Sequence, residues 1–287
     1  MKISIITINY NGSENTIKLL DSLKEQSGKD FQTIVVDNAS EKGDLERVKF
    51  VAGGNIQILE SGQNLGFSGG NNLGIRKALE MGVNWLILLN NDTWVERDFI
   101  ARLEPILSQK EGIIGLPVDE GGRVVNMGLL EWLRPTLEHI YSQDDDSRGY
   151  YINGAAMAIS KEAFEKIGEL DEKYFLYFED TDYSVRAKKA GIKVSFLKEP
   201  EVHHSISATT KKMGSPLLLR YHYRNALYFN FKNGPRYIKF FVWLWSFWII
   251  KKQLIKLIFM YRPEESIAIL NGVFDFYKGR MGQIKHD

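Results

Sequence analysis

Ile3-Ser4-Ile5-Ile6-Thr7-Ile8 runs straight into Asn9-Tyr10-Asn11-Gly12, and Trp85-Leu86-Ile87-Leu88-Leu89 runs into Asn90-Asn91-Asp92-Thr93. Each is a short apolar run ending in a polar turn, the pattern of a strand covered on both faces. Residues 33–36, ending in Asp37-Asn38, and residues 56–59 repeat it. Between these runs, Ile17, Leu20 and Leu23 fall at helical spacing behind Ser13, which reads as an N-cap. Asn64-Leu65-Gly66-Phe67-Ser68-Gly69-Gly70-Asn71-Asn72 leads into a second helix carrying Leu73, Ala78 and Leu79. Strands alternating with helices predict an α/β fold on a mainly parallel sheet.

Further along, residues 111–150, with their glycines and the acidic run Asp144-Asp145-Asp146, predict loops that leave the sheet. Ser160 caps a short helix that stops at Gly168, and Glu179-Asp180-Thr181-Asp182 opens one that ends at Gly191. Residues 194–197 form a strand followed by His203-His204, and from about Tyr221 the pattern turns to aromatic and Lys-rich helices.

At 287 residues, with 44% hydrophobic and 25% charged side chains, the chain is long enough to bury a core. A net charge of +1 excludes a whole-protein nucleic-acid binder. The absence of Cys excludes disulfide frameworks, zinc fingers and thiol catalysis, and suits a reducing cytosol. Residues 3–8 are too short for the apolar region of a secretory signal. The longest apolar stretch, residues 240–250 interrupted by Ser246, is too short to span a bilayer.

In open α/β sheets ligands bind outside the carboxyl ends of the strands. Three polar clusters fall there: Thr7 with Asn9, Asp37 with Asn38, and Asn90-Asn91-Asp92. No G-x-G-x-x-G follows the first strand and no P-loop occurs anywhere. The glycines at 66, 69 and 70 read either as a plain turn or as a close approach of backbone to a sugar or phosphate. Asp92, a carboxylate at a strand end, suits Mg²⁺ or Mn²⁺ bridging phosphates. The acids from Glu179 to Asp182 follow the apolar residues 174–178, a setting that suits a general base. Asp182 itself reads as a helix-start acid. His203-His204 offers an imidazole ligand.

Thr7-x-Asn9-Tyr10-Asn11, Val36-Asp37-Asn38-Ala39-Ser40, Asn64 to Asn72, Leu89 to Thr93, Gly154-Ala155-Ala156-Met157, Phe178 to Asp182 and His204 occur in the order of the family 2 glycosyltransferases. Over roughly residues 1–230 the chain resembles their rhamnosyltransferase-like and galactofuranosyltransferase-like branch. The resemblance implies a GT-A fold, a nucleotide-sugar donor, a divalent cation and inversion at the anomeric carbon. It implies that Thr7 and Asn9 lie near the nucleotide, that Asp37 reads a pyrimidine base, and that Asn38, Asn64 and Gly66 belong to the donor side. Asn90-Asn91-Asp92 stands at the D-x-D place. Asn90 replaces its first acid, leaving Asp92 as the carboxylate and Asn90 and Asn91 as donor contacts. Aligning His204-Ser205-Ile206-Ser207-Ala208-Thr209 with the family pattern makes His204 a metal or diphosphate ligand. Asp180 matches the catalytic base, with Tyr177 and Glu179 on the acceptor side. Arg224-Asn225 matches a pair of the branch with no chemistry assigned to it.

Residues 232–262 hold seven Lys and Arg, no Asp or Glu, and Trp243, Trp245 and Trp248 among other aromatics. Ile250, Leu254, Leu257, Ile258 and Tyr261 fall on one side, with Lys251, Lys252 and Lys256 opposite. The segment reads as a cap on the catalytic core, an oligomer contact, or an interfacial helix on anionic lipid. The expectation is a catalytic domain over residues 1–225 with a helical extension over 226–287. It transfers a rhamnose-like sugar from a dTDP- or UDP-sugar to a lipid-linked glycan, at the cytoplasmic face of a bacterial membrane. A soluble or protein acceptor, or a non-catalytic sugar-nucleotide binder or membrane tether, are the alternatives.

Overall fold

The computed structural model describes residues 1–125, 127–135, 137–140, 149–204 and 215–284. The four apolar runs are β1 (Ile3–Asn9), β2 (Phe31–Asp37), β3 (Ile56–Glu60) and β4 (Trp85–Leu89), separated by α1 (Ser13–Lys24), α2 (Lys42–Val51) and α3 (Gly66–Glu80). With β6 (Ile113–Gly115), β12 (Ala156–Ser160) and β13 (Val194–Phe196) they make a seven-stranded sheet in the order β13-β6-β12-β4-β1-β2-β3. β12 is antiparallel to both neighbours and every other pairing is parallel. The chain lays down β1, β2 and β3 in one direction and then returns to place β4 on the other side of β1. That reversal opens a crevice at the carboxyl ends of β1 and β4, where ligands of such sheets bind.

Local chemistry explains where the helices lie. The glycine-rich segment does not lead into a helix; it is the first part of α3. A Cβ on Gly70 would stand 2.9 Å from Ile8 Cδ1, and one on Gly74 would stand 2.5 Å from Ile6 Cγ2. Missing side chains therefore let α3 lie directly on β1. Ser13 is not the cap of α1 either. Gly12 holds that position, and the Ser13 amide donates to Asp44 Oδ1 at 3.0 Å, so a carboxylate from α2 meets the positive end of α1. Ser160 does cap α5 (Lys161–Ile167): its hydroxyl accepts from the Ala163 amide, and Gly168 at φ 79° ends the helix.

The segment read as loops contributes β6 to the main sheet and builds two small sheets. One has the order β5-β14-β7-β8, from β5 (Thr93–Val95), β7 (Val118–Asp119), β8 (Val124–Val125) and β14 (Val202–His204). The other has the order β10-β9-β11, from β9 (Met127–Leu129), β10 (Glu138–Ile140) and β11 (Tyr150–Tyr151). His203 and His204 thus lie on a strand rather than beyond one. The acidic run at 144–146 and residues 205–209 of the His204 pattern lie outside the described residues.

After α4 (Phe99–Leu107) and α6 (Glu179–Lys189), three helices close the chain: α7 (Pro216–Asn233), α8 (Arg236–Ile258) and α9 (Pro263–Tyr277). α7 runs unbroken through 225/226, where the sequence suggests a boundary. Leu227 of α7, Val242 and Ile249 of α8 and Ile269 and Val273 of α9 form one apolar cluster. α8 buries only the stripe Ile238, Val242, Ser246, Ile249 and Gln253. Of the stripe Ile250, Leu254, Leu257, Ile258 and Tyr261, Ile250 packs against the apolar cluster, Leu257 is half-buried, and Leu254, Ile258 and Tyr261 are exposed.

Candidate active site

Alternation along β1 sends Ile6 and Ile8 toward α3 and Thr7 and Asn9 to the opposite face. Thr7 is fully buried, and among the described residues its hydroxyl has no partner. Asn9 is a hub. Its Nδ2 donates to Asp37 Oδ1 (3.0 Å), Ser40 Oγ (3.0 Å) and Asp44 Oδ2 (2.8 Å), while its Oδ1 accepts from Thr16 Oγ1 (2.7 Å). Asp37 Oδ2 accepts from the Ser40 amide (3.0 Å). Burial pushes the Asp44 carboxyl up, but hydrogen bonds from Asn9 and Ser13 and the Arg47 charge hold it below its ordinary value. Asp44 and Thr16 escaped the sequence reading because their link to Asn9 depends on how α1 and α2 flank the strand.

Asn38 belongs to a second group. Its Nδ2 donates to the Gly66 carbonyl (2.9 Å) and Asn64 Oδ1 (3.4 Å), and its Oδ1 accepts from the Leu65 amide (3.2 Å). Asn64 Oδ1 also accepts from the Gly66 amide (2.9 Å). Gly66 sits at φ 70°, where a Cβ would overlap the Phe175 carbonyl, and the next amide, Phe67, donates to that carbonyl at 2.8 Å. Glycine is required here both for the left-handed backbone and for the contact with residue 175.

Beyond β4, Asn91 Nδ2 donates to Thr16 Oγ1 (3.0 Å), and Asp92 Oδ1 meets His204 Nε2 at 3.1 Å. Strand register explains this second meeting: β14 pairs His204 with Thr93, the residue after Asp92. Burial pushes the His204 imidazole down, but the Asp92 hydrogen bond and the Asp92 and Glu120 charges raise it above its ordinary value. His203 faces the other way. It stacks on Trp94 (4.0 Å) and sets Nδ1 3.2 Å from Asp119 Oδ2. With Glu201 these residues form a second group able to hold a cation, one that the sequence does not announce because Asp119 and His203 lie on different strands. A carboxylate beside an imidazole at Asp92 and His204 is a donor set that fits Mn²⁺; Mg²⁺, which takes oxygen, fits it less well.

The acidic motif is joined to this place through β12. Register sets Ala156 opposite Leu89, so the Asn90 amide donates to the Ala155 carbonyl (3.0 Å). One residue earlier, the Gly154 amide donates to Asp180 Oδ2 (2.9 Å). A Cβ on Gly154 would crowd Asp180 Cβ and Oδ2 at 3.3 Å. Asp180 Oδ1 accepts from the Thr181 amide (2.6 Å) and hydroxyl (3.1 Å). Glu179 is buried, and burial together with the Asp180 charge pushes its carboxyl well above the usual carboxylate range. Tyr177 stacks on His222 at 3.9 Å, and burial raises its phenol to about 12. Asp182 serves packing: fully buried, it meets Arg186 Nε (2.8 Å), Lys232 Nζ (2.8 Å) and Asn233 Nδ2 (2.6 Å). Tyr177 and Phe178 are both left-handed, at φ 70° and 74°. Neither is glycine, so the turn before α6 carries about 1–2 kcal/mol of strain per residue.

Residues 4–168, more than half of the chain, match the family model described as Glycosyl transferase family 2. The chain belongs to that family. Among relatives, the family 2 enzyme is 29% identical over 238 residues to the low-salt glycan biosynthesis hexosyltransferase Agl10 of Haloferax volcanii, covering 78% of this chain and 73% of that protein. It is 26% identical over 251 residues to the dTDP-rhamnosyl transferase RfbF of Shigella flexneri, covering 79% of each. In fold it is similar to the crystal structure of GalNAc-T7 with UDP, GalNAc and Mn²⁺, at a TM-score of 0.64 and 16% identity. That match covers 99% of this chain and 55% of the longer one. The GT-A expectation is borne out: a mainly parallel central sheet flanked by helices, with helices at the C-terminal end.

Proposed function

We propose that this glycosyltransferase moves a rhamnose-like sugar from a dTDP- or UDP-sugar to a glycan acceptor, with inversion, and that Asp180 is the base. The observation that carries the reading is the bridge Asn90–Ala155–Gly154–Asp180, which draws the D-x-D position and the acidic motif to one end of the sheet. The dTDP-rhamnosyl relative and the fold neighbour solved with UDP support the choice of donor.

In the reaction, Asp180 takes the proton of an acceptor hydroxyl as that oxygen attacks the anomeric carbon. The bond from that carbon to the diphosphate oxygen breaks, and the diphosphate leaves with the electron pair. Displacement from the opposite face inverts the configuration, through an oxocarbenium-like transition state. Gly154 and Thr181 orient the carboxylate. Tyr177 and Glu179 stand on the acceptor side. Asp92 and His204 would hold Mn²⁺ or Mg²⁺, which supplies charge to the departing diphosphate when bound. The Asn38, Asn64 and Gly66 group shapes the donor side, with Asn9 and Asp37 fixing the strand ends beneath the nucleotide.

The acceptor is proposed to be lipid-linked, with residues 1–225 carrying the transfer and 226–287 seating the enzyme on the cytoplasmic face of the membrane. Among the described residues no helix is long and apolar enough to cross a bilayer. α8 nevertheless exposes Phe240 (67%), Trp243 (63%) and Phe247 (63%) beside Lys251 and Lys252, without an acid in the helix. Aromatic rings with basic side chains suit an anionic interface. A donor screen tests the chemistry: nucleoside-diphosphate release is expected with dTDP- or UDP-sugars and Mn²⁺. Calorimetry that finds no binding of either nucleotide diphosphate would contradict it.

A further inference from the structure

The Arg224-Asn225 pair has no part in the reaction as derived, yet both side chains are buried, at 1% and 0% exposure. Asn225 Nδ2 donates to the Leu176 carbonyl (2.7 Å) and the Tyr177 carbonyl (3.0 Å). These carbonyls lie on either side of left-handed Tyr177 and just before left-handed Phe178, after which α6 starts with Glu179 and Asp180. Asn225 Oδ1 accepts from Arg224 Nε (3.0 Å). Only this orientation of the amide works, because the reverse would set its oxygen against two carbonyls. Arg224 is fixed in turn: its Nη1 donates to the Arg280 carbonyl (3.2 Å), and its guanidinium lies 4.9 Å from the Tyr221 ring. The tail beyond α9 is tied to the same region, since the Gly282 amide donates to the Lys173 carbonyl (3.0 Å) and the Ile284 amide to Tyr221 Oη (2.7 Å).

We propose that Asn225, oriented by Arg224, is a positioning residue that latches the 176–178 turn and so aims Asp180. A strained turn persists only where its surroundings hold it, and two amide hydrogens on successive carbonyls supply that hold. The proposal rests on the reading of Asp180 as the base. It also gives the C-terminal helices a role in the reaction, since the latch reaches the site from α7 and is braced by the segment after α9.

The test uses the full chain and follows amide hydrogen exchange at two reporters. They are Asp182, whose N–H donates to the Phe178 carbonyl (2.8 Å), and Gly154, whose N–H donates to Asp180. Asn225→Asp keeps the shape but turns an oxygen toward the two carbonyls. It is expected to speed exchange at both reporters by about tenfold or more, while amides of β1 and β4 keep their protection. With a turned-over donor, kcat falls about 10²-fold while KM for the donor stays within about twofold. On an Asp180→Asn background, Asn225→Asp then costs nothing further, as expected for two residues acting through one group. A residue that only supports the fold would add its loss to that of Asp180→Asn and would loosen β1 and β4 as well.

If Asn225→Asp does not fold, Arg224→Lys is read in the same way. It loses the Nε contact and is expected to show the same pattern at smaller amplitude. Wild-type exchange at Asp182 and Gly154 in the folded variant overturns the latch. Exchange needs no donor, so the two readings separate: full activity in Asp180→Asn would remove the base, and unchanged exchange in the Asn225 variant would remove the latch.

Discussion

Asp92 is the single carboxylate of Asn90-Asn91-Asp92, and its side chain already faces His204. Asp92→Ala is expected to cut Mn²⁺-dependent turnover about 10²-fold or more, and Asn90→Ala to do less, since the Asn90 main chain makes the bridge to Ala155. Titrating Mn²⁺ against both variants checks this, and full activity in excess chelator would contradict it. A second prediction concerns His222, which lies under Tyr177. Burial pushes its imidazole down to about 4, against a hydrogen bond with the Pro135 backbone that favours the charged form. The unfolded chain binds this proton below about pH 6.5, whereas the fold refuses it until about pH 4. His222 therefore makes stability fall as pH drops through that window, by about 1.4 kcal/mol per unit. Urea unfolding at pH 7, 6 and 5 is expected to show a shallower loss in His222→Gln than in wild type. Asp92 stands out in the sequence as the acid of a turn after an apolar strand, and Asp180 as one of the acids that open a helix behind an apolar run. What Asn9 and Asp37 do to one another is not legible there, because the hydrogen bonds depend on strand register.

Among the elements, α3 shows why composition alone misplaces a boundary. Its glycines discourage a helix, yet the sheet beneath requires them. Gly74→Ala sets two effects against each other. Helix propensity gains about 1 kcal/mol, while overpacking against Ile6 and Val36 costs about 1–3 kcal/mol. Ile6 is fully buried on a central strand and has no room to move, so packing wins and a net loss of up to about 2 kcal/mol is expected in urea unfolding. A stabilised Gly74→Ala would show that α3 sits farther from β1. β1 to β4 were readable to within two residues at each end, since an apolar run that ends in a polar turn leaves a pattern. β7, β8 and β11, with two residues each, carry no period to read, and the antiparallel setting of β12 has no local signal at all.

Across the whole molecule, the C-terminal helices both pack and present a surface. The cap reading of residues 232–262 accounts for one stripe of α8, and the rest of that helix is exposed and aromatic. Lys252 Nζ sits 5.0 Å from the Trp248 ring, so charge and aromatic surface share one side. Peripheral, salt-sensitive binding to anionic vesicles is expected, with basic residues near the surface contributing about 1 kcal/mol each. Changing Lys251, Lys252 and Lys256 together to Glu should release the protein into the supernatant at unchanged melting temperature. Wild-type protein that stays in solution with anionic vesicles at low salt would leave α8 as a packing or oligomer surface. Its basic, acid-free composition was legible in the sequence. The link from α7 back to the acidic motif was not, because Asn225 and Leu176 are 49 residues apart and only the fold joins them.

Asp180→Asn probes removal of the acceptor proton by Asp180, because the change is nearly isosteric and spares the donor side. Sugar transfer and nucleotide-diphosphate affinity are measured on the same preparation. A loss of about 10³-fold or more in kcat is expected, with affinity within about threefold of wild type. Turnover by Asp180→Asn within tenfold of wild type, with Glu179→Gln inactive, would contradict it.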